Sequence, residues 1–134
     1  MRFDLSFSNL DNVNILYFTD VDLSKTFLYG ASLIRARLSG AKLGCVFWDA
    51  NLTGAWLDSC NLEGADLEAA NLSDADLEKT RFSNAKLKKA NLSKARLEGA
   101  DLTEAAELAT ATLTGATYDK TTKLPTNLDA TARA

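Results

Sequence analysis

An unbroken run of five-residue units from Ala50 to Glu104 constrains this chain more than any other feature. It reads ANLTG AWLDS CNLEG ADLEA ANLSD ADLEK TRFSN AKLKK ANLSK ARLEG ADLTE, eleven units in phase. If the central residue of each unit is position i, then i is Leu from Leu52 to Leu102 with Phe82 the one exception, and i-2 is Ala or Cys except at Thr80. An α-helix advances about 100° per residue, so leucines five apart would drift by ~140° per unit and share no face. Plain strand alternation fails as well, because an odd period reverses the facing of each successive unit. A short extended segment with i-2 and i inward and i-1 outward, followed by a turn over i+1 and i+2, satisfies the period. The chain then winds as a solenoid.

Six of the seven glycines (Gly30, Gly40, Gly54, Gly64, Gly99 and Gly115) fall at i+2, where Asp49, Asp74 and Asn84 also stand. These residue types tolerate positive φ, which the third position of a type II turn requires. Units with Lys, Ala or Ser at i+2 are expected to use another turn type.

The A(D/N)LXX units resemble those of the pentapeptide repeat family, and the resemblance covers at least residues 21–120. The ending ATYDKTTKLP, Ala116 to Pro125, is similar to the C-terminal ends of many cyanobacterial members. The resemblance implies an all-β fold, a right-handed quadrilateral parallel β-helix with one unit per face and four units per coil. Val21 to Lys120 hold twenty units, hence about five regular coils plus terminal caps. At about 4.8 Å per coil they would make a rod roughly 24 Å tall.

A single domain, 1–134, is expected. Residues 3–17 read as weaker units with Leu5, Leu10 and Ile15 at i, before Phe18 to Asp20 break the phase by three residues. Residues 1–20 are therefore an irregular first coil or an N-terminal cap. The unit AKLG, Ala41 to Gly44, is one residue short, and Gly44 is the residue able to close a tighter turn. One extra residue follows Glu104 and aligns best at Ala105, after which Leu108, Leu113 and Tyr118 return to inward i positions. A short helix in TEAAELA ranks second to this repeat reading. Pro125 lies past the last unit, because a ladder that uses its N–H groups excludes proline, and 121–134 are expected to form a C-terminal cap and tail.

The composition argues against several function classes. Fifteen basic against eighteen acidic residues leave a formal charge of -3, which offers no concentrated basic surface for nucleic acid. The N-terminus has no basic stretch followed by a long apolar run, so no membrane segment or signal is visible and a cytoplasmic location is expected. There is no His, Cys45 and Cys60 should point inward as apolar thiols, and the exposed Ser and Thr residues have no base beside them. No catalytic residue, cofactor site or metal site is therefore assigned, and an enzyme is the least favoured reading.

With four units per coil, outward residues stack at intervals of twenty. One i-1 column reads Ser32, Asn51, Asn71, Asn91, Thr112, whose amides could hydrogen-bond along the column. Others pair Arg81 with Asp101, Asp66 with Lys86 and Asp76 with Arg96. The family resemblance brings in a DNA-mimic inhibitor or protector of DNA gyrase as an alternative, but such mimicry needs uniformly acidic faces, and these alternate in sign. The edge formed by Asp58, Glu78 and Glu98, with Asp76 alongside, reads as a solvated surface because Arg96 and Lys79 sit among the carboxylates. The favoured reading is a non-catalytic scaffold or protein-protein interaction module.

One outward feature departs from polar spacing. Phe27 and Val46 at i-1, with Tyr29 and Trp48 at i+1, should form an apolar patch that contacts a protein partner or a second copy. The competing reading is that the N-terminal segment, with Phe7, Leu16 and Tyr17, packs over it. Ile34 and Trp56 look like isolated surface apolars.

Overall fold

The computed structural model describes residues 3–14, 21–126 and 128. Each unit contributes its i-1 residue to a parallel ladder, and through the body the partners are twenty residues apart: Asn51 with Asn71, Asn71 with Asn91, Asp76 with Arg96, Arg81 with Asp101. Twenty residues are four units, so the chain returns above itself after four short segments. Most rungs are single-residue bridges, because each extended segment is cut short by the next turn. Two-residue strands occur at β1 (Phe3–Asp4) and β2 (Thr26–Phe27), paired in parallel. Among the described residues no helix is long and apolar enough to cross a membrane.

The hydrogen bonds of one unit explain why its residue types recur. In the unit from Ala70 to Asp74, the Ala70 amide donates to the Leu67 carbonyl (3.0 Å) and closes the preceding turn. The Asn71 amide donates back to Ala50 of the preceding coil (2.9 Å), while Leu72 and Asp74 donate forward to Asn91 (2.7 Å) and Ser93 (2.9 Å). This leaves the i+1 amide, Ser73 N–H, which donates to Oδ1 of Asn71 at 3.0 Å. The same bond runs from Thr53 to Asn51, Glu63 to Asn61, Glu78 to Asp76 and Thr103 to Asp101. Asn and Asp thus recur at i-1 because their side chains satisfy the one amide the ladder omits. The expectation of amides bonding along the Asn column is corrected accordingly: Oδ1 is engaged within its own unit.

Turn geometry departs from expectation too. All six i+2 glycines have positive φ, as do Asp49, Asp74 and Asn84, but so do Arg35, Ser59, Ala69, Lys79, Lys89 and Lys94, at 55–59°. Residue type at i+2 therefore does not select the turn. The left-handed conformation costs a residue with Cβ about 1–2 kcal/mol. It is imposed because the i+2 amide must reach the next coil, as Lys79 reaches Glu98 (2.9 Å) and Lys94 reaches Thr114 (2.9 Å). Lys25 and Glu104 do not adopt it, and both stand beside breaks in the repeat.

The inward columns of Leu and Ala are buried from Leu28 to Leu102, with Phe47 and Phe82 filling i where Leu is absent. Thr80 is buried at i-2 because its hydroxyl donates to the Leu57 carbonyl at 2.7 Å. Cys60 does likewise, its Sγ lying 2.9 Å from the Leu38 carbonyl oxygen. The columns end in solvent: Leu5 is 37% exposed and Tyr118, expected inward, is 44% exposed. An inward position exists only between two coils, and no described residue continues the column past Tyr118.

Four irregularities are absorbed locally. Asn14 pairs with Arg37 and Asp22 with Lys42, so three extra residues lie between Asn14 and Asp22, while residues 3–14 themselves join the ladder. The break expected at Phe18 to Asp20, like Ile15, Leu16 and Tyr17, falls outside the described residues. Gly44 closes the shortened unit through a bond from the Cys45 amide to the Leu43 carbonyl (2.6 Å), and a Cβ on it would stand 2.5 Å from the Glu63 carbonyl oxygen. The extra residue near Glu104 is not Ala105, which closes its turn on Leu102 normally (3.1 Å), as Ala106 pairs with Lys86. It enters at Glu107, whose φ of 58° leads into a 3-10 turn, Leu108–Thr110, that returns Leu108 to the core. A further residue is accommodated between Thr117 and Lys123, the latter still pairing with Asp101.

Candidate functional site

The ladder brings the four expected apolar residues to one corner. Phe27 pairs with Val46, and the Gly30 amide donates to the Trp48 carbonyl at 2.9 Å, which sets Tyr29 and Trp48 in register on neighbouring coils. Their rings stack with centroids 4.7 Å apart and planes at 27°. Trp48 remains 45% exposed, while Phe27, Tyr29 and Val46 are half-buried. The N-terminal segment extends this cluster with Phe7, whose ring meets Tyr29 edge-on, centroids 5.0 Å apart. Phe7 is 72% exposed, so it adds a third ring to the column and does not seal it.

Local backbone explains the approach of Phe7. The Phe7 amide donates to the Tyr29 carbonyl (2.9 Å) with φ of 61°, and the ring lies over Gly30, where a Cβ would stand 2.8 Å from Phe7 Cε1. Gly30 serves both the left-handed turn and the seat of the ring. Sequence reasoning named Phe7 as cover for the patch and not as part of it, because the offset between the first two coils is lengthened by the three extra residues.

Trp56 is 44% exposed but not isolated: the Arg37 guanidinium lies over its ring, 4.3 Å from the centroid. The signal was present, since Arg37 and Trp56 occupy one i-1 column nineteen residues apart. Of the three opposite-sign pairs expected, Asp76 and Arg96 make contact, at 3.3 Å. Arg96 also binds Glu78. Arg81 turns to Glu63 (4.0 Å), and Asp101 is approached by Lys123 (3.8 Å). Glu68 and Lys88 continue the aromatic column as an ion pair (4.0 Å).

The model of the pentapeptide repeat family matches residues 17–44, 45–84 and 80–117, with eight copies. The chain is a pentapeptide repeat protein. No curated protein sequence matches it. Among solved structures this pentapeptide repeat protein is similar to HetL, a pentapeptide repeat protein involved in heterocyst differentiation regulation from the cyanobacterium Nostoc sp. strain PCC 7120. Identity is 32% and the TM-score 0.56, over 84% of this chain and 54% of HetL. A pentapeptide repeat protein from the Arabidopsis thaliana thylakoid lumen matches at 30% identity, TM-score 0.49, over 77% of this chain and 63% of that one. The chain thus spans about half the length of HetL and less than two thirds of the thylakoid protein.

Along the acidic edge of this pentapeptide repeat protein Asp76 and Glu78 are engaged by Arg96, whereas Glu98 Oε2 is buried without a hydrogen-bond partner. Burial pushes the Asp76 carboxyl above the ordinary range, with Arg96 opposing. Asp58 accepts the Ser39 hydroxyl. Among the described residues no group of three or more His, Cys, Asp or Glu side chains is placed to hold a metal ion. Cys45 and Cys60 are free and buried, and desolvation raises both thiols to about 12, which keeps them protonated near neutral pH.

Proposed function

We infer that this pentapeptide repeat protein is a rigid, right-handed, non-catalytic rod of about five regular coils that binds another protein through its aromatic corner. The observation that carries this reading is the column of three rings, Phe7, Tyr29 and Trp48, flanked by Phe27 and Val46 at one corner. Aromatic clusters of this kind are enriched at protein contacts, where they supply large area at small entropic cost. The alternative, imitation of DNA toward gyrase, calls for a continuous acidic face, whereas here Asp76 meets Arg96 and Glu68 meets Lys88.

Replacing Tyr29 and Trp48 together by Ser tests the reading. Both point outward, so thermal stability should change by less than about 1 kcal/mol. Association, followed by sedimentation velocity and by retention of the protein partner, should fall at least severalfold. A lower unfolding temperature with unchanged association would identify the corner as internal packing and overturn it; loss of self-association alone would make a second copy the partner.

A further inference from the structure

A second surface feature lies one face along from the aromatic corner. Asn12, Arg35 and Gly54 stack at successive i+2 turns, and Asn14, Arg37 and Trp56 stack at the i-1 sites that follow, with a shallow groove of about 470 Å³ between the two columns. Neither guanidinium lies within 4.0 Å of a carboxylate among the described residues, whereas Arg81 has one such partner and Arg96 two. The acids closest in sequence to Asn12 and Trp56, which line the groove, are already engaged. Asp11 accepts the Ser32 hydroxyl (2.6 Å) and the Ile34 amide (2.9 Å), and Asp58 accepts the Ser39 hydroxyl.

The Arg37 guanidinium carbon lies over the Trp56 ring, 4.3 Å from its centroid. Stacking uses the face of a guanidinium and leaves its in-plane N–H groups directed outward, the arrangement that binds a planar pair of oxygens with two parallel hydrogen bonds. Arg35 lines the same groove at a left-handed turn (φ 56°), and Gly54 beside it carries no side chain to fill the space. Two uncompensated cations with many N–H donors match a compact dianion. A carboxylate would balance one of them, while a phosphomonoester, at about -1.5 to -2 near neutral pH, balances both and offers three acceptor oxygens.

We propose that the groove between Arg35 and Arg37 binds a phosphomonoester dianion, with Arg37 fixed on Trp56 as the fork and Arg35 as the second cation. The inference stands apart from the aromatic corner and does not depend on it. The dianion could be a free phosphate compound or a phosphorylated side chain of a protein, and the test separates the two. Inorganic phosphate, acetate, a phosphoserine peptide and the same peptide unphosphorylated are titrated at constant ionic strength into the intact protein. The Trp56 indole N–H and the Arg35 and Arg37 Nε–H signals are followed by NMR. Saturable shifts with phosphate and not with acetate are expected, weakened about tenfold or more in R35Q/R37Q, since charge-assisted hydrogen bonds are lost. R37K, which keeps the charge and removes the fork, should lose most of the affinity as well. A phosphopeptide at least about tenfold tighter than inorganic phosphate identifies a phosphorylated protein as the source, and equal affinities identify a free phosphate compound. Shifts that do not saturate, that acetate reproduces, or that persist in R35Q/R37Q overturn the proposal.

Discussion

At the scale of the residue, the i+1 amide decides what stands at i-1. Asn71 is the acceptor for Ser73 N–H, so Asn71→Ala should cost about 0.5–1.5 kcal/mol, the usual net value of one hydrogen bond, while Asn71→Asp should stay within about 0.5 kcal/mol. Urea unfolding of the two variants checks this, and equal losses would show that the side chain matters for something other than its oxygen. The preference for Asn or Asp was plain in the sequence, but its cause was not, because one side chain can bond along a column or within its own unit and only the registered backbone shows which amide is left over. The lysines at i+2 were illegible for a related reason. Intrinsic preference argues against positive φ at Lys79, Lys89 and Lys94, and the ladder overrides it.

At the scale of the single unit, the deletion and the insertion behave differently. The shortened unit was readable from the phase of Phe47, and its glycine from chemistry, though the reason is space: unlike the six i+2 glycines, Gly44 does not have positive φ. Gly44→Ala must displace backbone, since its Cβ would meet the Glu63 carbonyl oxygen at 2.5 Å, and a loss of about 1–3 kcal/mol or more is expected. Gly64→Ala meets nothing within 4 Å and carries only the left-handed cost, about 1–2 kcal/mol. Thermal unfolding should rank G44A below G64A; the reverse order would refute the close approach. The insertion at Glu107 could not be located in sequence, because Ala105 and Ala106 fit the inward i-2 site equally well, and the chain kept them at i-2 and i-1 and bulged where a Glu could face water.

At the scale of the whole molecule, stability should depend on height along the rod. Leu72 lies with coils on both sides and is fully buried, whereas Leu5 at the N-terminal end is 37% exposed. Leu72→Ala should cost about 2–5 kcal/mol and Leu5→Ala about 1 kcal/mol or less. Amide exchange measured along the chain should be slowest in the central coils around Leu72 and faster toward Leu5, since each coil is secured by its neighbours. Equal costs at the two positions would contradict a one-dimensional stack. The aromatic corner was legible at this scale because a constant period turns sequence distance into spatial neighbourhood; the contact of Arg37 with Trp56 obeys the same arithmetic, but a lone exposed Trp attracts no partner search. The twenty-residue pitch has a mechanical corollary, in that the number of units between two side chains is an angular coordinate as well as a height. Splicing four units in after Asp74 would lengthen the axle and leave every azimuth beyond it unchanged. Splicing in one would swing all later residues through a quarter turn, carrying Lys88 away from Glu68 and re-aiming the C-terminal half against the aromatic corner, so the spacing of two surface features and their relative bearing can be changed independently.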